Sequence, residues 1–396
     1  MTRPESREAW DVVVVGGGPA GAAAALGALR AAPTLRVLVV DRDDFPRDKC
    51  CGDGIAPHVV DVLRDLGAAH VVDGWTPLSR LELSRGQRRV EGAMSRPVWV
   101  IPREVFDARL LQQAVAAGAT FTRHRVRDVH PEGDEIVLDG AMRARVVIGA
   151  DGAHSAVRRA CTSGSPGRRA LALRGYAPTP PGRVGRQVIR YGDRRQPSYA
   201  WAFDRGDGLS NVGYGELVVD GAPPSRQLLL DQLEHLLPGT ASVGERWRGH
   251  HLPLSGWGTS QPDGAVLLVG DAAGLVNPMT GEGIYYAVAT GALAGRAAAH
   301  AIGEARPQAA GARHQQAVRR LLDRHLHHTW AAARLSRSPA VVDAGITAAA
   351  RDRGCFDALV ELGLGDGRIT PRLAAELARG LATGLVSRRT TDLVES

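Results

Sequence analysis

The chain is almost without lysine: of its 49 basic residues one, Lys49, is lysine and the others are arginine. Together with abundant alanine and glycine, that skew reads first as the coding bias of a GC-rich gene. Forty-two acidic residues leave a net charge of +7, but the positive charge is scattered and aromatic residues make up 5% of the chain. A nucleic-acid surface needs clustered arginine and stacking rings, so no nucleic-acid partner is expected. Cysteine is sparse: Cys50, Cys51, Cys161 and Cys355. Adjacent cysteines bridge only under strain, and no zinc-ligand spacing occurs. That points to no bound metal and to a reducing, cytoplasmic compartment. Long apolar runs are missing too. The polar N-terminus and the short run Val12–Val15 make no signal peptide, and nothing approaches the roughly 18 apolar residues of a membrane span. Peripheral contact with a membrane needs no span and stays open, as does the oligomeric state.

What is present is ordinary for a globular protein. Hydrophobic residues are 44% and charged residues 23% of the chain, which excludes wholesale disorder, collagen and a disulfide scaffold. At roughly 100–200 residues per domain, 396 residues hold two or three. Residues 11–41 read as a βαβ unit: a β-branched run, a glycine loop, an Ala/Leu-rich helix and a second buried strand. Residues 55–70 have helical spacing, 78–101 read as short strands, and 103–118 as an amphipathic helix. Residues 144–151 and 265–271 look like further buried strands. From 165 to 258 Gly, Pro and Arg punctuate short strands, with a helix near 225–237. Residues 281–302 form a small-residue helix, and 303–396 read as helical, with breaks near Pro339 and Gly363–Gly367.

Three strand–turn–helix corners carry chemistry. In the first, Gly16, Gly18 and Gly21 occupy the G-x-G-x-x-G positions: a tight turn, a close approach for pyrophosphate, and close packing of helix on strand. Asp41 ends the next strand, 20 residues past Gly21, where an acid reaches a ribose, and Arg42 follows it. This motif alone does not separate NAD from FAD. The second corner is Ile148 to Arg158, with Asp151 at its turn. The third runs Gly270-Asp271 and then Asn277-Pro278-Met279-Thr280-Gly281-Glu282-Gly283 into a helix. Taken singly, an Asp at a helix start is often an N-cap.

The order and spacing of the three corners resemble the FAD superfamily typified by para-hydroxybenzoate hydroxylase. The resemblance implies that Asp151 supports flavin and reduced nicotinamide and that Asp271 holds the ribityl chain. It also implies that the loop Pro278, Gly281, Gly283 presents N–H groups to the flavin, and that Arg103 lies near the pyrophosphate. Two further segments, Pro46-Arg47-Asp48-Lys49-Cys50-Cys51-Gly52 and Tyr199-Ala200-Trp201-Ala202-Phe203 followed by Asn211-Val212-Gly213-Tyr214-Gly215, are similar to the P-R-x-K-x-C-G and Y-x-W-x-F-P…N-V-G-x-G segments of the geranylgeranyl reductase family. The resemblance covers roughly residues 10–300. It implies an α/β fold with a Rossmann-like FAD-binding domain built from 1–78, 102–160 and 260–302. A mixed-sheet substrate domain from 79–101 and 161–259 and a helical region 303–396 complete the chain. Family practice further implies FAD, NADPH or NADH as electron donor, and a small apolar or prenylated substrate. The same resemblance implies that Cys51 lies near the flavin and that Tyr199, Trp201 and Phe203 line the substrate cavity.

The expected reaction is reduction of a carbon–carbon double bond; the alternative is an FAD-dependent monooxygenase acting on an aromatic or polyketide-like molecule, since fold alone does not decide. Asp204 stands where the family has proline, which opens a more polar cavity rim. The W-x-W-x-I-P segment of flavin halogenases is not matched. Bland readings stand beside these. The aromatic residues of 199–203 alternate as in any half-buried strand, Cys51 also reads as a small buried hydrophobe, and Lys49 as one partner of a salt bridge. Cys161 and Cys355 read as structural. His325, His327 and His328 are expected on an exposed helix face.

Overall fold

Strand β1 (Ala9–Val15) leads through a glycine loop into α1 (Pro19–Ala31) and back to β2 (Val37–Asp41). After β3 (Gly54–Ile55) and α2 (Pro57–Asp65) come the long pair β4 (Leu78–Arg85) and β5 (Arg88–Val100), then α3 (Arg103–Ala116). Three short strands, β6 (Thr120–Arg123), β7 (Val129–Glu132) and β8 (Glu135–Leu138), precede β9 (Met142–Gly149) and α4 (Ala156–Cys161). Next are β10 (Arg169–Pro178), β11 (Arg186–Tyr191), β12 (Tyr199–Asp204), β13 (Leu209–Leu217), α5 (Arg226–Leu236) and β14 (Glu245–Pro253). The chain then returns through β15 (Val266–Leu268) to α6 (Ile284–Gly303), and finishes in α7 (Ala310–Leu335), α8 (Pro339–Arg351), α9 (Arg353–Leu364) and α10 (Pro371–Asp392). The structure is a computed structural model that describes residues 9–162, 167–219, 222–257 and 261–392, with side chains as far as residue 382. The polar start 1–8 and the end 393–396 of the helical region lie outside the described residues.

The first sheet has the order β6-β2-β1-β9-β8-β7, with β15 added beside β9. Its centre is parallel: β1 pairs with both β2 and β9. Val12, Val13 and Val14 on this central strand are fully buried on both faces, so the strand reads as one continuous β-branched run. The second sheet has the order β14-β10-β13-β12-β11-β4-β5-β3 and is mostly antiparallel. The fold is thus mixed α/β with a helical C-terminal region. The strands β6 and β7 did not stand out in the sequence because most of their residues are polar and exposed, and β8 because it is only four residues long. The strand expected over 265–271 stops at Leu268, since Gly270 takes φ +53° and turns the chain into a short 3-10 segment, Gly270–Ala273.

Helices α1 and α6 pack with their backbones nearly touching. A Cβ on Gly291 would sit 2.1 Å from the Ala20 carbonyl oxygen, and one on Gly295 2.0 Å from that of Ala24. Two helices meet this closely only across glycine. The packing ties the helix that follows the first glycine loop to the one that follows the third corner, so both loops open on the same side of the sheet.

One histidine departs from expectation. His325 is buried, its Nε2 paired with the Tyr286 hydroxyl and its Nδ1 with the Gly367 carbonyl, each at 2.6 Å. The charged stretch around it suggested solvent, but α7 turns this one position inward to fasten α6 and the end of α9. His327 and His328 are half-exposed.

Gly291→Ala is expected to lower stability by about 1–3 kcal/mol, because only backbone can give way. Gly303→Ala, in the same helix with open space around its Cβ position, should be neutral or stabilising by up to about 1 kcal/mol. Urea denaturation of the two variants separates a packing effect from helix propensity.

Candidate active site

The first corner forms because α1 needs a tight turn straight off β1. Gly16 has φ +109°, and a Cβ on Gly21 would fall 1.7 Å from the Gly16 oxygen. Asp41, at the end of β2, accepts from the Gly17 N–H at 2.7 Å and from Asp43 N–H at 3.0 Å. Its carboxylate therefore braces the loop as well as facing the cavity. Arg42 beside it is exposed and pairs with Asp43. Across from Gly18 two guanidinium groups converge. Arg103, buried at the start of α3, is held by Asp107 through two hydrogen bonds of 2.6 and 2.7 Å, and Arg47 reaches the same carboxylate at 3.2 Å. A Cβ placed on Gly18 would lie 3.2 Å from Arg47 Nη2 and 3.9 Å from Arg103 Nη2.

At the second corner Ser155 is the N-cap of α4, accepting from the Arg158 N–H, and Asp151 braces the same helix start. It accepts from the Ser155 hydroxyl, 2.5 Å, and from the Ala156 N–H, 2.6 Å, and so fixes α4. Arg158 on that helix donates to the carbonyls of Ala153 and Ala272, which locks the second corner to the third. There Asp271 accepts from Lys49 Nζ at 3.1 Å. Burial pushes the Asp271 carboxyl up, but Lys49 and His250 outweigh it and hold the group below its ordinary range. His250 is driven down to about 4 by burial and by Lys49, so it is neutral at pH 7. Glu282, in the loop before α6, is pushed up to about 7 by burial against the N–H groups of Tyr285 and Ile284.

The loop after β2 joins the two sheets. Arg174 on β10, fully buried, donates to the Asp48 carboxylate at 2.5 Å and to the Lys49 carbonyl at 2.9 Å. Asn211 on β13 donates to the Cys51 carbonyl, 2.8 Å, and to Asp53, 2.7 Å, while accepting from Trp201 Nε1 at 2.8 Å. Tyr176 donates to the same Asp53 oxygen at 2.6 Å. Burial raises Asp53 to about 6 despite Arg174, Tyr176 and Asn211. Burial likewise raises the Cys51 thiol, against the Arg103 guanidinium beside it. The neighbouring Cys50 is pushed up to about 12, and its thiol donates to the Arg248 carbonyl at 3.0 Å. Neither cysteine is a thiolate at neutral pH.

These pieces open on one cavity of about 1050 Å³, above the roughly 300–1,000 Å³ of most single-ligand sites. Gly16, Gly18, Asp41, Arg42, Cys51, Arg103, Asp151, Tyr199, Trp201, Phe203, Asp271, Pro278, Gly281 and Gly283 all line it; Gly21 and Gly270 shape its walls from behind. Tyr199, Trp201 and Phe203 follow one another along one face of β12 with ring centroids 6.1 and 6.5 Å apart, and the Tyr199 hydroxyl donates to the Thr280 carbonyl. The far end is apolar and comes from the C-terminal helices: Val342 and Ile346 of α8, Leu359 and Leu362 of α9, Leu373 and Leu377 of α10.

Asp204 is not part of the rim. It is buried, accepts from the N–H groups of Gly185 and Gly206 and the Thr179 hydroxyl, and closes a turn in place of proline. Sequence reasoning passed over Arg47, Asp53, Arg174, Asn211 and the whole apolar arm. Arg47 and Asn211 lay inside the quoted segments and carried a signal; Arg174 and the arm did not, because their partners are far away in sequence.

The residues fit a flavin dinucleotide. The space between Gly18 and the two guanidinium groups is cationic, and glycine at this position keeps a Cβ from intruding on it. His250 Nε2, buried on the cavity wall beside Asp271, has no hydrogen-bond partner among the described residues. The cavity also leaves room for a second molecule.

Asp53 gives a pH test. A folded-state value near 6 against 3.8 for the ordinary carboxyl means that the native protein keeps a proton that the unfolded chain releases. Its contribution is present below about pH 4 and fades as pH rises to about 6, on the order of 3 kcal/mol. Asp53→Asn should flatten that stretch of the stability–pH curve. Urea midpoints from pH 4 to 7 that fall equally in both proteins would rule out the raised value.

Comparison with known proteins agrees with this geometry. The family profile described as FAD binding domain matches residues 9–176. Menaquinone reductase of Mycolicibacterium smegmatis is 35% identical over 310 residues, 72% of this chain and 75% of the relative. Digeranylgeranylglycerophospholipid reductase 1 of Methanopyrus kandleri is 33% identical over 332 residues, 74% of this chain and 82% of the relative. A geranylgeranyl bacteriochlorophyll reductase-like protein of Thermoplasma acidophilum shares the fold, with TM-score 0.77 and 21% identity over 89% of this chain and 96% of that one. The chain belongs to the geranylgeranyl reductase family of FAD-dependent oxidoreductases.

Proposed function

We propose that this protein saturates carbon–carbon double bonds in an isoprenoid chain, with NADPH or NADH as electron donor. The observation that carries the reading is the continuity of the cavity. Its cationic glycine-loop end and its apolar end meet at Cys51 and Gly52, against the rings of Trp201 and Phe203. A long apolar chain fits an arm walled by leucine, isoleucine and valine from three helices. The names of the relatives, which describe reductases of menaquinone and of a digeranylgeranyl lipid, support the same substrate class.

In this proposal Gly16, Gly18, Gly21, Arg47 and Arg103 hold the pyrophosphate of FAD. Asp41 holds its ribose, Asp271 its ribityl chain, and the loop Pro278, Gly281 and Gly283 the ring edge. Arg42, at the exposed rim, completes the nucleotide end. Gly270 and Asp151 set the corners rather than touch the cofactor. Held there and reduced by the nicotinamide, the flavin would supply hydride chemistry at one alkene carbon. Cys51 holds a proton at Sγ for the other carbon; its thiol is kept protonated by burial, and proton transfer of this kind contributes about 10²–10⁴-fold. Tyr199, Trp201 and Phe203 align the chain and exclude water. Alignment matters because an isolated alkene accepts hydride poorly, and late protonation must meet it in place.

Under strict anaerobiosis, with a prenylated quinone and NADPH or NADH, the expected product is heavier by two hydrogen atoms, with one reduced nicotinamide consumed per double bond. An absolute requirement for dioxygen, or a product carrying label from isotopic dioxygen, would replace the reductase by the monooxygenase.

Cys51→Ser should retain FAD and its rate of reduction by the nicotinamide, yet slow alkene reduction by about 10²-fold or more. Rapid-mixing measurement of the two half-reactions separates this from a packing role, which would impair both together.

A further inference from the structure

A polar side chain deep in the cavity floor has nothing in the protein to bond to. The second sheet turns Tyr199, Trp201 and Phe203 of β12 to the cavity, and antiparallel pairing sets Tyr191, Ile189 and Gln187 of β11 opposite them. Parallel pairing with β4 places Leu83 beside Ile189 and Leu81 beside Gln187. Gln187 is therefore flanked by Phe203 and Leu81 on a floor that is otherwise aromatic and aliphatic. It lines the cavity and is 3% exposed, and its amide has no hydrogen-bond partner among the described residues. A Cβ on Gly54 would lie 3.8 Å from its Nε2, so the amide rests against the loop that carries Cys51. Other polar groups on the floor are engaged: Trp201 Nε1 with Asn211 and the Tyr199 hydroxyl with Thr280. The Tyr191 hydroxyl also lacks a partner, but it stands four residues along β11, roughly 13 Å away, on a residue only half-buried.

A buried amide without a partner destabilises the free protein, because it has given up water and gained nothing in return. Leucine would fill the same place without stranding a donor. A ligand that completes the amide restores the bond, and its chemistry follows from the surroundings. An amide N–H donates to an oxygen. Phe203, Leu81, Ile189 and Gly54, which flank it, carry no charge, so an anionic head would find no counter-ion beside it. The rings of Phe203 and Trp201 offer faces on which a flat ring stacks. We propose that Gln187 binds a carbonyl oxygen of a neutral prenylated quinone, with the quinone ring against the Cys51 loop and the prenyl chain in the apolar arm. The inference rests on the reductase reading for the prenyl chain alone. An ether-linked prenyl lipid has no carbonyl to offer, and a prenyl diphosphate brings charge that this part of the floor does not meet. Gln187 thus selects among prenyl substrates by their heads, while the arm accepts their common chain.

The test is equilibrium binding to the FAD-loaded protein without nicotinamide, read from the flavin absorption spectrum. The probes are a naphthoquinone with a short prenyl chain and the corresponding prenylnaphthalene, which has the same rings and chain without the oxygens. The wild-type protein should hold the quinone about tenfold more tightly than the hydrocarbon. Gln187→Leu should erase that difference by weakening the quinone alone. It should also raise the urea midpoint of the protein without quinone, since it takes an unpaired amide off an apolar floor; a packing role for Gln187 predicts a fall. Gln187→Met, unbranched like glutamine, is the second variant and should behave alike, and FAD content checks that both fold. Equal wild-type affinity for the two probes, quinone affinity unaltered in both variants, or a lower urea midpoint in both would each overturn the assignment. So would tighter binding of geranylgeranyl diphosphate or of a prenyl glycerol ether than of the quinone. No turnover is measured, so a quinone held but never reduced would sink the reductase and leave this contact standing. Reduction confined to chains without a carbonyl would do the reverse.

Discussion

The amide of Asn211 is the point on which the site depends. Its nitrogen donates to the Cys51 carbonyl and to Asp53, and its oxygen accepts from Trp201. One side chain thereby ties the loop after the second strand of the nucleotide sheet to the floor of the other sheet. Asp53 sits at φ +59°, a conformation costly outside glycine that persists only where its surroundings over-determine it. Here they do: the Asp53 carboxylate takes two hydrogen bonds, and its carbonyl accepts from the Ile101 N–H. Without this brace the thiol of Cys51 would have no defined place between the arginines and the aromatic strand.

The charges around the loop follow one rule. Arg103 is buried with Asp107, Arg174 with Asp48, and Lys49 is paired with Asp271. Buried pairs of this kind add little net stability, since desolvation offsets attraction, but removing one partner is severe. Their value is geometric. Asp107 and Asp271 set Arg103 and Lys49 on the cavity wall while Asp48 fixes Arg174 behind it, so a chain whose charge is otherwise scattered presents a concentrated positive end to a dinucleotide. Lys49 belongs to this set. A compact ammonium on a flexible stem reaches a carboxylate where a planar guanidinium needs a wider seat.

The C-terminal helices change the character of the cavity. Up to the third corner the walls combine glycine, charge and aromatic rings with aliphatic residues of the second sheet such as Leu81, Leu83 and Ile189; beyond it α8, α9 and α10 add further leucine, isoleucine and valine. Under the proposed function the same architecture would house polar cofactor chemistry and an apolar guest, divided by the loop carrying Cys51, and a reacting group at that boundary would be kept from water while the nucleotide end stayed accessible.

The sequence determined a good deal alone. The β-branched run before Gly16, the acid after the second strand and the Gly-Asp corner at 270–271 specified a dinucleotide fold, because local geometry demands those residue types: a turn that excludes Cβ, a strand buried on both faces, a helix start near phosphate. The quoted segments also carried the family. What the sequence could not show was which charges meet. Asp48 and Arg174 are 126 residues apart, Lys49 and Asp271 222, and no periodicity links them. Asp204 read as a rim residue, yet the fold engages it inside a turn, while Asp151 both lines the cavity and braces the start of α4. His325 looked solvated and is buried. The apolar arm was invisible for the same reason. Its leucines and valines are ordinary core residues on their own helices, and only the packing of α8 and α9 against the second sheet, with α10 laid on those two helices, turns one of their faces into the wall of a cavity.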